Sequence, residues 1–288
     1  MQLKVILAGI ILWHACFNVA ISQGDEIRFS KVNGDNGEPL GKITAITQDA
    51  KGYMWFAGEG EKCIYRYDGT GLLTFRQDIM DSNSLGSVNP FVISSDSSGN
   101  VWIGFHDLGL DQLDPQTGVF RHYRHNPSDP SSLGSDDLTV LLTDHQGILW
   151  IGTANGLDRF DEKTGKFIHY RHDPENPKSL SNNYVWAIYQ DRKGVIWVGT
   201  GFPWYKMDPE GGGLNRLEAD GSFTRFMHDP KNPHSLINNK VRSIFEDSRG
   251  VFWVGTSGDG LHTMDRKTGR VERHRYDPSR PDKLSRPL

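Results

Sequence analysis

The stretch Asp191-Arg-Lys-Gly194-Val-Ile-Trp197-Val-Gly-Thr200 sets a charged turn against a short apolar run around a tryptophan, and it recurs along the chain. Asp49-Ala-Lys-Gly52-Tyr-Met-Trp55, Asp96-Ser-Ser-Gly99-Asn-Val-Trp102, Asp144-His-Gln-Gly147-Ile-Leu-Trp150 and Asp247-Ser-Arg-Gly250-Val-Phe-Trp253 share its D-x-x-G-x-x-W core, which makes five copies. The tryptophans lie 47, 48, 47 and 56 residues apart, a period of propeller blades rather than of helical arrays. The fourth repeat is longer by about nine residues.

Two further modules complete each unit. One is Leu110-Asp-Gln-Leu113-Asp114-Pro-Gln-Thr-Gly118-Val-Phe120-Arg-His-Tyr123, repeated at 157–170 and 261–276; the other is His172-Asp-Pro-Glu-Asn-Pro-Lys-Ser-Leu180, echoed at 125–133 and 228–236. In each D-x-x-G turn the glycine supplies the positive φ, so an apolar run on either side reads as a strand. Val185 to Tyr189 is then strand a, Val195 to Val198 strand b, Leu157 to Phe160 a strand c and Phe167 to Tyr170 a strand d. Strands a and b lack clean alternation, as expected of a sheet covered on both faces, and no segment holds a 3.6-residue period. Four-stranded antiparallel sheets arranged radially make an all-β propeller.

The formal charge of −4 and pI near 6.3 give no footprint for nucleic acid, and no basic run suits an anionic membrane. Lys4 precedes an apolar segment from Val5 to Ala20, with small residues at Ala20-Ile-Ser22. Residues 1–22 therefore read as a secretory signal peptide, which leaves 23–288 as the propeller domain. Its loss removes Cys16 and leaves Cys63 alone, so the mature domain has no intrachain disulfide and no cysteine-rich metal site. His122 with His125, and His169 with His172, stand three apart on a strand and point to opposite faces, which argues against a metal site. No nucleophile motif, phosphate-binding loop or H-E-x-x-H is present, so no catalytic residue and no cofactor is assigned.

The five-fold motif resembles the two-component regulator propeller repeats, over residues 27 to 284. That resemblance implies a periplasmic or secreted sensor domain of a hybrid two-component system, attached to the inner membrane in a full-length parent. It implies a small-molecule or oligosaccharide ligand, and as partners a homodimer and the histidine kinase domains of the parent, with phosphorelay to a receiver. Family members usually have seven-bladed rings, often in tandem. The five repeats visible here then read as part of a larger ring, C-terminally incomplete, with 277–284 as a linker between blades. A propeller enzyme acting as lyase or hydrolase on a glycan or lactone, and a protein-interaction scaffold, are the alternatives.

Strand direction puts the D-x-x-G and D-x-x-T-G turns on one side of the ring, with the b–c loops and d–a linkers on the other, where a ligand is expected. The repeat tryptophans Trp55, Trp102, Trp150, Trp197 and Trp253 are core anchors. The extra residues of the fourth repeat, Gly201 to Gly211, bring Phe202, Trp204 and Tyr205 into a polar loop suited to sugar rings. Asn183 and Asn239 open strands a on that side. The position held by Thr44, Phe91, Thr139, Trp186 and Arg242 varies in type between apolar neighbours, so Trp186 and Arg242 are expected to line the central channel.

Overall fold

The computed structural model describes residues 31–34, 40–59, 63–202, 211–257 and 260–274. Blade 1 comprises β1 (Lys42–Gln48), β2 (Met54–Glu59), β3 (Cys63–Tyr67) and β4 (Leu72–Arg76). Blade 2 comprises β5 (Pro90–Ser95), β6 (Val101–Phe105), β7 (Leu110–Asp114) and β8 (Val119–Tyr123). Blade 3 follows with β9 (Leu138–Thr143), β10 (Leu149–Thr153), β11 (Gly156–Asp161) and β12 (Lys166–Tyr170). Blade 4 holds β13 (Val185–Gln190), β14 (Ile196–Thr200), β15 (Gly213–Leu217) and β16 (Phe223–Phe226). Blade 5 holds β17 (Val241–Glu246), β18 (Phe252–Thr256), β19 (Gly260–Met264) and β20 (Val271–His274). Each sheet runs in chain order and every pairing is antiparallel, as the repeat predicts. First strands of successive blades lie side by side, so they form the inner wall.

The spacing of the motif has a bonding reason. In all five hairpins the aspartate Oδ2 accepts the indole N–H of the tryptophan six residues on, at 2.8–3.3 Å. In four of them Oδ1 also accepts the amides two and four residues on. The turn glycines adopt φ between +81° and +94°, where a Cβ is strained. One carboxylate thus caps the turn and satisfies a tryptophan that must be buried, since an unpartnered buried N–H costs about 1–3 kcal/mol.

Those tryptophans seal the blade interfaces. Trp55 packs with Ile93, Val101, Ile103 and Phe120 of blade 2, and Trp102 with Leu138, Leu149, Ile151 and Phe167 of blade 3. Trp150 meets Val185, Ile188, Ile196 and Val198, and Trp197 meets Val241, Ile244, Phe252 and Val254. Polar ties cross the same seams. Arg266 of blade 5 reaches the buried carboxylates of Asp191 at 2.9 Å and Glu246 at 2.8 Å, so one guanidinium compensates two acids from adjacent blades.

The linker ahead of each blade docks on the blade it enters, and at Asp136 and Asn183 it also accepts amides, of Gly109 and Gly156, from the blade it leaves. Amides of Phe120, Phe167, Phe223 and Val271 in the outermost strands donate to linker carbonyls of Asn83, Ser131, Lys178 and His234 at 2.7–2.9 Å. In return the linker amides of Gly86, Gly134, Ser181 and Ile237 donate to Asp111, Asp158, Asn215 and His262 of the third strands. His122 and His169 set one ring nitrogen on Asp111 and Asp158 and the other on the carbonyls of Ser82 and Pro130. His125 and His172 instead bond the carbonyls of Leu133 and Leu180. The paired histidines point apart and each holds linker backbone. Among the described residues no group of three His, Cys, Asp or Glu side chains is arranged to hold a metal.

The end blades differ from the inner ones. Ile46 in blade 1 is 57% exposed, whereas its counterparts Ile93, Ile188 and Ile244 are 7–9% exposed behind a preceding blade. At the other end Phe245 is 57% exposed. Trp253, expected in the core like the other repeat tryptophans, is only partly buried, because its face of blade 5 has no following blade among the described residues.

Candidate functional site

The varying position of strand a has a structural cause. In every blade the pairing of the first two strands slips by one residue, and the unpaired residue is Thr44, Phe91, Thr139, Trp186 or Arg242. Each is a β-bulge, which bends the strand and re-aims one side chain. Opposite it lies a glycine of the second strand. At Gly152 a Cβ would come within 2.5 Å of Val140 and 2.8 Å of Val185 in the next blade, so only glycine lets neighbouring inner strands approach. Out of the ladder, the bulge residue is available for other contacts. Thr44 and Thr139 use their hydroxyls to bond the carbonyls of Pro90 and Val185 in the following blades.

At the other three blades the bulge carries a larger group. The Arg242 guanidinium lies 4.2 Å from the Trp186 ring centroid, and Trp186 stacks on Tyr184 at 5.8 Å with 14° between planes. Phe202, at the base of the fourth-repeat insertion, meets Tyr184 edge-on at 4.7 Å. Burial pushes the Tyr184 hydroxyl up to about 12, and the negative charge of Asp137 adds to the shift. Burial also lowers the Arg242 pKa. In blade 2 the Phe91 and His106 rings lie 3.7 Å apart by centroid, and His106 Nδ1 sits 3.0 Å from Asp137 Oδ1. Asn89 and Asp107 complete a cleft with that pair.

The sequence-derived candidates therefore divide. Phe202, Trp186 and Arg242 come together through Tyr184, on the side of the b–c loops. Asn183 and Asn239 stand nearby but give their side-chain oxygens to the linker amides of His172 and His228, at 2.7 and 2.6 Å. Asn182 and Asn238 cap their own turns through the amides of Tyr184 and Lys240. Trp204 and Tyr205 lie outside the described residues. The insertion closes through three glycines of positive φ, Gly211, Gly212 and Gly213, and a Cβ at Gly212 would meet the Thr200 carbonyl at 2.5 Å.

Tyr184, His106 and Asp137 were not picked out from the sequence. Tyr184 was within reach, since residues two apart share a face of a strand and Trp186 was already singled out. His106 was not, because it opens a short b–c loop with no feature of length or composition.

The arrangement offers flat apolar faces beside a guanidinium, an imidazole, an amide and carboxylates. Such a surface stacks against a ring while bonding its polar substituents.

The model of the two component regulator propeller family matches residues 37–60, 132–155, 179–202 and 235–258. Each match covers the end of a linker, strand a, the turn and strand b, in blades 1, 3, 4 and 5. No curated protein matches. Among solved structures, the chain is similar to the extracellular domain of a candidate hybrid two component system from B. thetaiotaomicron, with 27% identity and a TM-score of 0.65 over 82% of this chain. The chain spans 30% of the length of that structure. Virginiamycin B lyase from Staphylococcus aureus shares the fold alone, at 15% identity and a TM-score of 0.61, over 88% of this chain and 75% of its own. With the repeat matched on four blades and the Asp–Trp hairpin built in all five, the chain carries the repeats of the two component regulator propeller family.

Proposed function

We propose that the chain is the extracytoplasmic ligand-binding propeller of a two-component signalling system, that it binds an oligosaccharide at the bulge residues of blades 2, 4 and 5, and that it signals to histidine kinase domains of its parent protein. The observation that carries this reading is the Tyr184–Trp186–Arg242 stack with Phe202 at its edge, in a chain similar to an extracellular two-component domain. Sugar rings present axial C–H groups to aromatic faces and hydroxyls to charged partners, and both are present here. Trp204 and Tyr205, in the same insertion, extend the aromatic surface in this proposal. Binding signals only through unequal affinity for two arrangements of the sensor, so a ligand spanning the bulges of several blades is suited to bias how they sit together.

The test is calorimetric titration of residues 23–288 with a panel of plant and host oligosaccharides. Binding that weakens at least tenfold in Trp186→Ala and in Arg242→Ala, without turnover, supports the reading. A panel with no binder and no shift in melting temperature removes the carbohydrate assignment. Product formation would replace the sensor with an enzyme.

A further inference from the structure

We propose that His169 is a proton-operated latch: a proton held between His169 and Asp158 fastens the linker of residues 124–137 to blade 3, and the linker loosens when that proton leaves.

The geometry requires the extra proton. Nδ1 of His169 lies 2.6 Å from Asp158 Oδ1, and Nε2 lies 3.0 Å from the carbonyl oxygen of Pro130. A carbonyl oxygen and a carboxylate only accept, and a neutral imidazole donates from one nitrogen alone. Both contacts are hydrogen bonds only when the pair holds one proton more than a neutral ring beside a carboxylate. Asp158 is 1% exposed, and its other oxygen accepts the Gly134 amide at 2.6 Å. The same carboxylate thus ties the imidazole to the linker.

The neighbouring blades show what the latch replaces. Across the ladder from the third strand, the place of His169 is held by Arg225 in blade 4 and by Arg273 in blade 5. Arg225 donates to the linker carbonyls of Asn176, Ser179 and Leu180, and Arg273 to those of Asn232, Ser235 and Leu236. They face Asn215 and His262 rather than an acid, and a guanidinium keeps its charge at any pH the fold survives. In blade 2 His122 repeats both contacts of His169, but Arg124 also lies 2.9 Å from Asp111 and leaves that buried acid a permanent cation. Arg171, the counterpart of Arg124, is exposed and makes no ion pair with Asp158. Asp129, beside Pro130, turns its carboxylate onto Ser131. Among the described residues His169 is therefore the one cation paired with Asp158.

The hydrogen bond to Asp158 foremost raises the His169 pKa above its ordinary 6.5, against burial and the charge of Arg171. The latch is then fastened below 6.5 and opens as pH rises through the higher value of the folded state. The linker it holds ends in Asp136 and Asp137, which bond the His125 amide and His106. Opening frees the segment that presents Asp137 to His106.

The experiment follows ring and linker together in the full chain. Histidine ¹⁵N spectra, assigned through the backbone, should show both His169 nitrogens protonated at pH 6 and one proton lost above 6.5. Amide hydrogen exchange, corrected for its intrinsic rate, should show Gly134 losing at least about fivefold in protection through that step. Ser181, on the linker held by Arg225, should not change with it. His125 and His172 stand at matching places on the two linkers and bond Leu133 and Leu180, so their own titration moves both amides alike. His169→Arg should keep Gly134 protected throughout. A neutral His169 ring at pH 6, equal responses of Gly134 and Ser181, or a response undiminished in His169→Arg overturns the proposal. The first two are read in the unmodified chain, so they hold even where the variant folds poorly.

Discussion

The two ends of strand a in blade 4, Val185 and Gln190, are about 17 Å apart at the usual rise per residue, and they obey different rules. At the turn end Asp191, Gly194 and Trp197 repeat in every blade, and the Asp191 and Trp197 side chains are committed to partners in the hairpin or the next blade. At the bulge end the backbone slips identically in every blade, yet the residue is Thr, Phe, Thr, Trp or Arg. Repetition of chemistry marks where the fold is held. Repetition of geometry with changing chemistry marks the position that the proposed binding site uses.

The sharpest way to break this comparison is to exchange the tryptophans. Trp197→Ala removes a fully buried ring from the seam of blades 4 and 5 and should cost about 3–5 kcal/mol in chemical denaturation. Trp186→Ala, at the bulge, should cost less than about 1.5 kcal/mol. Equal losses would show that both tryptophans serve packing. Next in size is Gly212→Ala at the base of the insertion, where positive φ and the nearby Thr200 carbonyl together should cost about 1–3 kcal/mol. The insertion should then lose its fixed base and ligand affinity should fall with stability. For Arg242→Ala the expected loss is in binding, at least tenfold or about 1.4 kcal/mol, with the melting temperature little changed.

The smallest effects separate the two ends by pH. Amides of Gly71 and Val251, foremost among their partners, hold Asp68 and Asp247 at about 2. Such depressed carboxylates stabilise the fold above their ordinary value of 3.8, and that contribution is lost as pH falls towards 2. Asp68→Asn should flatten part of the acid limb of a stability-against-pH curve. Tyr184 behaves oppositely, since its neutral form is favoured in the fold. Its contribution is full below the ordinary value of 10.0 and lost as pH rises towards about 12. Tyr184→Phe should remove that alkaline slope, and absorbance titration at 295 nm should find one late-ionising tyrosine fewer.

What was legible in the sequence follows from how local each interaction is. The Asp–Gly–Trp hairpin closes within six residues, so its spacing alone fixes the turn and its two strands. The bulge position showed itself as variation among apolar neighbours, although only the register explains why it varies. The assembly of the candidate site was not legible, because His106 and Asp137, like Trp186 and Arg242, meet across blades. The partial burial of Trp253 was unreadable for the same reason: it is a property of a neighbour, not of its own repeat. The histidine pairs yielded only a negative from spacing, since their partners are carbonyls about 40 residues away in sequence for His122 and His169.

The forward docking of the linkers also bears on how the protein is made. Because each linker bonds the blade that follows it, as Gly134 does Asp158 and Ile237 does His262, every stitch closes over a few tens of residues. No blade waits for distant sequence to complete its outer edge, so contact order stays low for an all-β chain. The chain can assemble in the order in which it leaves a ribosome, blade upon blade.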